Sequence, residues 1–215
     1  MIKIAPSILA AELIDIKEEV ELVDKNGAEY IHIDVMDGHY VPNITFGSNI
    51  IKSLRPITNK ILDVHLMISP VAKYIDSFIQ AGADIISFHP EADETSNEII
   101  STIKSNKCKA GIAIHPNIKI SEIVHFLPNI DLVVVMTVVP GFGGQKFMPT
   151  EVSKIVELKR IRKEKQLNFE IEIDGGINNE TAKICKESGA DVLVAGSYIF
   201  SEDKNNYKLK IDSLR

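Results

Sequence analysis

The chain has 215 residues, 45% of them hydrophobic, enough for one substantial core and short for two. Its 24 Lys and Arg stand against 30 Asp and Glu, a formal net charge of -6. The overall field therefore repels polyanions, which argues against nucleic acid or an anionic membrane as partner and for a small ligand. The opening MIKIAPSILA lacks the features of a secretory leader. The longest apolar run, LVVVMTVV, is far below the roughly 18 residues of a membrane span. Cys108 and Cys185 form no CxxC pair and fit a reducing compartment, so a cytoplasmic protein with two free thiols is expected.

Eight apolar runs have strand character: IKIAPSIL from Ile2, YIHIDVM from Tyr30, ILDVHLM from Ile61, DIISFH from Asp84, AGIAIH from Ala110, LVVVMTVV from Leu132, FEIEID from Phe169 and VLVAGS from Val192. Segments of helical period lie between most of them. Leu13, Ile16, Val20 and Val23 make one apolar stripe. With Ser69 as N-cap and Pro70 at the first helical position, Val71, Tyr74, Ile75, Phe78 and Ile79 make another. The basic run KRIRKEK at 159–165 reads as a solvated helix face. The tail SEDKNNYKLKIDSLR leaves room for one short final helix.

A small pattern recurs in NGAEYIHI, AGADIISF and SGADVLVA: a helix ends at Gly27, Gly82 or Gly189, then an acidic residue opens a strand. The glycines are 55 and 107 residues apart, the arithmetic of a unit of roughly 27 residues. Eight β-then-α units over residues 1–215 predict a single domain, a closed parallel (β/α)8 TIM barrel. An open doubly wound sheet usually has fewer strands and would carry a GxGxxG after the first, which is lacking here.

In a barrel, alternate side chains of a strand share a face. His32, Asp34 and Met36 then point inward, against Ile31, Ile33 and Val35. Asp63, His65 and Met67 alternate in the same way on the third run, and Glu170, Glu172 and Asp174 on the seventh. The groups nearest the C-terminal mouth are His32, Asp34, His65 and Asp174. Two imidazoles and two carboxylates suit one divalent cation of the zinc, iron, manganese or cobalt kind. Asp63 and Glu172, one layer below, either orient those ligands or pair as polar groups of the barrel interior. His89 and His115 also end strands, but no partner is evident for either, and both are left out of the site. Met36, Met67 and Met136 near the mouth either fill irregular space or ring the site with polarizable thioethers against a planar intermediate.

The glycine-rich pieces PGFGGQKF, DGGIN and AGS follow the last three strands. Bare backbone amides there can cradle a phosphate, and the first piece is long enough to act as a lid. A phosphorylated small molecule is expected.

The stretches APSILAA, HIDVMDGHYVPNITFG, DVHLMI, HPEA, MTVVPGFGGQKF, DGGI and AGSYIF, running from Ala5 to Phe200, resemble the ribulose-phosphate 3-epimerase family. The resemblance implies a metal-dependent barrel of the ribulose-phosphate-binding type that interconverts ribulose 5-phosphate and xylulose 5-phosphate. It implies that His32, Asp34, His65 and Asp174 bind one cation per subunit, with Asp34 and Asp174 as acid/base pair. It further assigns Ser7 and His65 to the sugar, Gly141, Phe142, Gly143, Gly144, Gly175, Gly176, Gly196 and Ser197 to the substrate and its phosphate, and the three methionines to the intermediate. Assembly into a homo-oligomer stays open. One departure is Val139, where the family commonly has Asn, Asp or Glu; it borders the lid.

Moving a proton from one face of C3 to the other needs a group on each face, one ionised and one protonated. A carboxylate that also binds a cation is normally a poor base, so each Asp would use one oxygen for the cation and one for the proton. A hexulose-phosphate epimerase, for example for allulose 6-phosphate, would share every one of these residues. A barrel lyase or decarboxylase would typically use a lysine at the mouth, and only Lys146 in the lid is available. A non-catalytic phosphosugar sensor would be expected to show damage to the aspartates, and both are present.

Overall fold

The computed structural model describes residues 2–201 and 203–215. Met1, at the head of the stretch read for a leader, and Glu202, in the polar tail, lie outside the described residues. Eight strands alternate with helices: β1 Lys3–Pro6, β2 Tyr30–Met36, β3 Ile61–Met67, β4 Ile85–Phe88, β5 Lys109–Ile114, β6 Leu132–Met136, β7 Glu170–Asp174 and β8 Val192–Ala195. The helices are α1 Ile16–Lys25, α2 Ser48–Leu54, α3 Ile75–Ala81, α4 Ser96–Ser105, α5 Ile120–Ile123, α6 Val152–Glu164, α7 Asn179–Ser188, α8 Ser197–Phe200 and α9 Tyr207–Ser213.

All neighbouring strands pair in parallel in the order β1-β8-β7-β6-β5-β4-β3-β2. The two ends meet where Glu29 N–H donates to the Ile4 carbonyl at 3.1 Å and Ser7 bridges to His32. This is the (β/α)8 barrel that the strand count predicted. Strands covered on both faces should be apolar throughout, and β2, β4, β6 and β8 are buried along their whole length. Two packed layers result. Ile31, Ile33, Val35, Val64, Leu66, Ile171 and Ile173 face the helices, while Ala5, Ile85, Ala113, Val134 and Val194 fill the barrel interior.

The recurring glycines do what their spacing implied. Gly27, Gly82 and Gly189 follow α1, α3 and α7 at φ of +96°, +99° and +119°. In each case the next residue donates back into the helix, Ala28 to Val23, Ala83 to Phe78 and Ala190 to Cys185, at 3.0–3.3 Å. The acidic residue after each glycine has a second task. Glu29, Asp84 and Asp191 accept the backbone N–H of Ile4, Leu62 and Ile171 on the preceding strand at 2.8–2.9 Å. Asp131 does the same for Ala110 at 3.0 Å, although no glycine announces it. Each is countered by a cation, Arg215, Arg55, Arg162 and Lys104 respectively. Four even-numbered strands thus latch four odd-numbered ones at the N-terminal face, where barrels place stability rather than chemistry.

Local boundaries differ from expectation in several places; the sixth and eighth strands, for example, stop at Met136 and Ala195. β1 stops at Pro6, because Ser7 turns the chain into a 3₁₀ turn at Ile8–Ala10 and caps it by accepting from Leu9 N–H at 3.4 Å. Leu13 is not on the α1 stripe: it sits in a separate turn, 52% exposed, and burial begins with Glu19, Val20 and Val23. Ser69 does not cap α3, nor does Pro70 begin it. The Ser69–Pro70 peptide is cis and the helix starts at Ile75. The polar groups of Ser69 are taken elsewhere, its N–H by Asp37 at 2.8 Å and its hydroxyl by the Ala92 carbonyl at 2.9 Å. Cys108 and Cys185 are free and buried. No helix among the described residues is long and apolar enough to cross a membrane.

Candidate active site

The strand register sets the site. β2 and β3 run side by side with His32 beside Asp63, Asp34 beside His65 and Met36 beside Met67; across the barrel, Asp174 pairs in register with Met136. Their inward faces form polar layers capped by thioethers at the C-terminal mouth. His32, Asp63, His65 and Glu172 are fully buried, and Asp34 is 4% exposed.

One donor atom from each of His32, Asp34, His65 and Asp174 lies within 4.8 Å of all the others. Asp34 Oδ1 is 3.4 Å from His32 Nε2 and 3.4 Å from His65 Nδ1, and Asp174 Oδ2 is 3.8 Å from His65 Nδ1. These two imidazole nitrogens are buried without a hydrogen-bond partner. Leaving two such atoms unsatisfied in a core is costly, and a cation between them and the carboxylates removes that cost. The residues present therefore fit a divalent ion with nitrogen and oxygen ligands.

Behind the cluster, His32 Nδ1 meets Asp63 Oδ2 at 2.7 Å and lies 3.4 Å from Glu172 Oε1. That contact places the Nδ1 proton on the carboxylate side and leaves Nε2 for the site. Burial and the adjacent Asp63 keep the Glu172 carboxyl well above its usual range. Glu170, the third acid of β7, belongs to the opposite end: it accepts from Tyr30 Oη at 2.6 Å and pairs with Lys3.

His89 does have a partner, contrary to the sequence reading. Its Nε2 is 3.1 Å from His65 Nε2, and its ring is fully buried. The contact crosses from β3 to the residue after β4, a relation no spacing along the chain reveals. Burial draws His89 down to about 4. His115 is partly exposed, and its ring Nδ1 accepts from Asn117 N–H at 3.2 Å.

The two aspartates are driven in opposite directions. Burial opposes ionisation of Asp34, but the His32 and His65 imidazoles hold it well below the ordinary carboxylate range. Burial and the Asp34 charge push Asp174 up to about 6. Threonine hydroxyls pin the backbone at both. Thr45 Oγ1 donates to the Asp34 carbonyl at 2.6 Å, and Thr137 Oγ1 reaches the carbonyls of Asp174 and Gly175 at 3.0 and 2.6 Å. Neither threonine was singled out from sequence, since an isolated hydroxyl in a loop carries no pattern.

A cavity of about 290 Å³ opens above the cluster. Ser7, Asp34, Asp174, Met36, Met67 and Met136 line its floor; Gly141, Phe142, Gly143, Gly144, Gly175, Gly176, Gly196 and Ser197 line its walls. His32 and His65 lie beneath, out of contact with it. No lysine or arginine is among the lining residues. Gly175 and Gly176 must be glycine: at φ of +123° and +66°, an added Cβ would fall 2.6 Å from Val138 Cγ2 and 2.5 Å from Phe147 N. The loop of residues 140–145 is braced from within by Gln145 Nε2, which donates to Val139 O at 2.7 Å and Phe142 O at 2.8 Å. Asn43 Nδ2 ties it to the β2–α2 loop through Gly141 O at 2.9 Å. The Val139 side chain is 51% exposed and only its neighbours Val138 and Pro140 line the cavity. Lys146 is exposed and does not line it.

Comparison with known proteins places this arrangement. Residues 3–200 match the model of the Ribulose-phosphate 3 epimerase family. The chain is 49% identical over 203 residues to the ribulose-phosphate 3-epimerase of Bacillus subtilis strain 168, covering 94% of each. It is 42% identical over 214 residues to that of Escherichia coli K12, covering 99% of this chain and 94% of the relative. Among solved structures, a 3-keto-L-gulonate-6-phosphate decarboxylase from Vibrio cholerae superposes with a TM-score of 0.74 at 17% identity, covering 100% of this chain and 95% of that one, a likeness of fold alone. On the match of nearly its whole length, the chain belongs to the ribulose-phosphate 3-epimerase family.

Proposed function

We propose that the protein epimerises D-ribulose 5-phosphate and D-xylulose 5-phosphate at C3. The observation that carries this reading is the pairing of Asp34 and Asp174. They reach one cavity from β2 and β7, with β1 and β8 between them, and their surroundings favour the charged form of one and the protonated form of the other. Family membership supplies the substrate class.

In one direction Asp34 accepts the C3 proton and Asp174 delivers its own to the opposite face; in the reverse direction the roles exchange. The electron pair left at C3 delocalises onto the neighbouring ketone as an enediolate. The two oxygens of Asp34 have separate surroundings, Oδ1 among the imidazoles and Oδ2 on the Ser7 hydroxyl at 2.6 Å. This division lets one carboxylate serve as ligand and base. A divalent cation held by His32, Asp34, His65 and Asp174, of the zinc, iron, manganese or cobalt kind, would supply Lewis-acid stabilisation of the developing negative charge. Met36, Met67 and Met136 keep water from the reacting carbons and lay a polarizable surface on the planar intermediate. The Gly176, Gly196 and Ser197 backbone holds the phosphate, and the 140–145 loop covers the sugar. A cytoplasmic location accords with both cysteines being free thiols.

The test is a coupled assay with ribulose 5-phosphate and allulose 6-phosphate side by side, before and after chelation. Turnover of the pentulose that disappears with chelator and returns with a divalent ion is expected. Preference for the hexulose would reassign the substrate, and full activity in rigorously metal-free protein would remove the cation from the mechanism.

A further inference from the structure

The HPEA stretch that begins at His89 has no part in the chemistry above, yet its histidine touches the metal-site imidazole of His65. A neutral imidazole carries one proton on one of its two nitrogens, and a nitrogen that ligates a cation must present its lone pair. His65 turns Nδ1 to the cluster, 3.4 Å from Asp34 Oδ1, and Nε2 to His89 Nε2 at 3.1 Å. If Nδ1 is the ligand, the proton sits on Nε2 and His89 Nε2 must accept it.

The same reasoning then applies one residue outward. With Nε2 accepting, His89 keeps its proton on Nδ1, and the group facing that nitrogen is Glu91 Oε1 at 3.5 Å. This carboxylate is itself positioned, since Tyr40 Oη donates to the same Oε1 at 2.8 Å. The Tyr40 ring also lies against the His89 ring, centroids 4.9 Å apart and planes 31° from parallel. Tyr40 is held in turn by its backbone N–H, which donates to Asp37 Oδ1 at 2.9 Å. A chain of contacts therefore runs from the surface at Glu91 to the buried floor of the site.

We propose that His89 and Glu91 are positioning residues that set the tautomer of His65 and thereby make its Nδ1 available to the cation. The assignment rests on the four-ligand reading of the site. It distinguishes the two ligand imidazoles. His32 donates directly to a buried carboxylate, Asp63, whereas His65 donates to a second imidazole whose Nδ1 makes no hydrogen bond and faces the Glu91 carboxylate 3.5 Å away. Partners of this kind behind a ligand typically change metal affinity by roughly 10- to 100-fold.

The experiment uses the full-length protein titrated with Zn2+ alone, with folding followed by circular dichroism. In the Zn2+-loaded wild type, nitrogen NMR should show His65 protonated at Nε2 and a coupling through the shared proton to His89 Nε2. Replacing the acceptor with a ring that cannot accept, His89→Phe, should weaken Zn2+ binding by roughly 10- to 100-fold, while His89→Gln, whose carbonyl can accept, should recover most of it. Glu91→Leu alters a surface residue and so keeps the test open if His89→Phe does not fold; it should weaken Zn2+ binding less, and redistribute the His89 proton between its two nitrogens. Folded His89→Phe and Glu91→Leu proteins that bind Zn2+ like the wild type would overturn the proposal alone, whereas a loaded wild type with His65 protonated at Nδ1 would also remove His65 from the ligand set. Failure of the wild type to bind Zn2+ would overturn the four-ligand reading as well.

Discussion

Ser7 Oγ donates to Asp34 Oδ2 at 2.6 Å, while Oδ1 of the same carboxylate lies 3.4 Å from both His32 Nε2 and His65 Nδ1. The hydroxyl stops the carboxylate from rotating and keeps its two oxygens distinct. Ser7→Ala should lower kcat/KM by between roughly 10- and 100-fold, the equivalent of the ~1.5–3 kcal/mol of a hydrogen bond to a charged group. Bound metal, measured by elemental analysis, should be unchanged, because Oδ1 keeps its neighbours.

Removing the ionisable carboxyl at either aspartate should be more severe. Asp34→Asn and Asp174→Asn should each cut kcat by at least the roughly 10²- to 10⁴-fold of general acid/base catalysis. Exchange of the C3 hydrogen in D2O reads each face separately. If either variant turned over at a near-normal rate, the two-carboxylate mechanism would fail.

Asp174 ties metal uptake to pH. Burial and the Asp34 charge raise it from the usual 3.8 to about 6, so between these values the folded metal-free protein holds a proton that the unfolded chain has lost. The stability this contributes is full below the unfolded value and disappears as pH rises through about 6. A cation on one Asp174 oxygen competes with that proton, which the other oxygen must carry for the reaction. The cation must displace a proton from His32, where burial works against the charge but Asp34 and Asp63 carry the imidazole well above its ordinary value. Metal affinity should therefore rise with pH across this range, with proton release visible by calorimetry in buffers of different ionisation enthalpy. A pH-independent affinity would exclude Asp174 as a ligand.

At the far end of the barrel, Asp191 accepts the Ile171 N–H at 2.8 Å and the Arg162 guanidinium at 2.5 Å. Asp191→Ala leaves that N–H without its acceptor and should cost about 1–3 kcal/mol in urea unfolding. KM and metal affinity should not move, since the residue lies at the barrel face opposite the cavity. A parallel loss of activity in the folded variant would show that the two ends of the barrel are coupled.

Much of this protein is legible along the chain, because strands and helices write their own periods. The alternation of His32, Asp34 and Met36 with Ile31, Ile33 and Val35 follows from a strand's two faces, and β2 and β3 run over the residues their apolar runs mark. Gly27, Gly82 and Gly189 were readable because helix termination is a local event with a local steric cause. The misreadings at Leu13 and Ser69 have the opposite origin. Apolar spacing and a Ser-Pro pair suggest helix, but Ser69 spends its hydrogen bonds on Asp37 and Ala92, residues far away in sequence.

By itself, then, the sequence determined the barrel, the inward set of imidazoles and carboxylates, and the glycine-lined mouth, all of which depend on period and local backbone preference. The tertiary structure alone decided which nitrogen of each histidine faces the cluster, which oxygen of Asp34 meets Ser7, and that His65 rests on His89. It also decided that Thr45 and Thr137, remote from each other in sequence, brace the two aspartates. Hydrogen bonds act over about 3 Å between atoms whose nearness is set by barrel closure and strand register, and no pattern along a single strand encodes that distance.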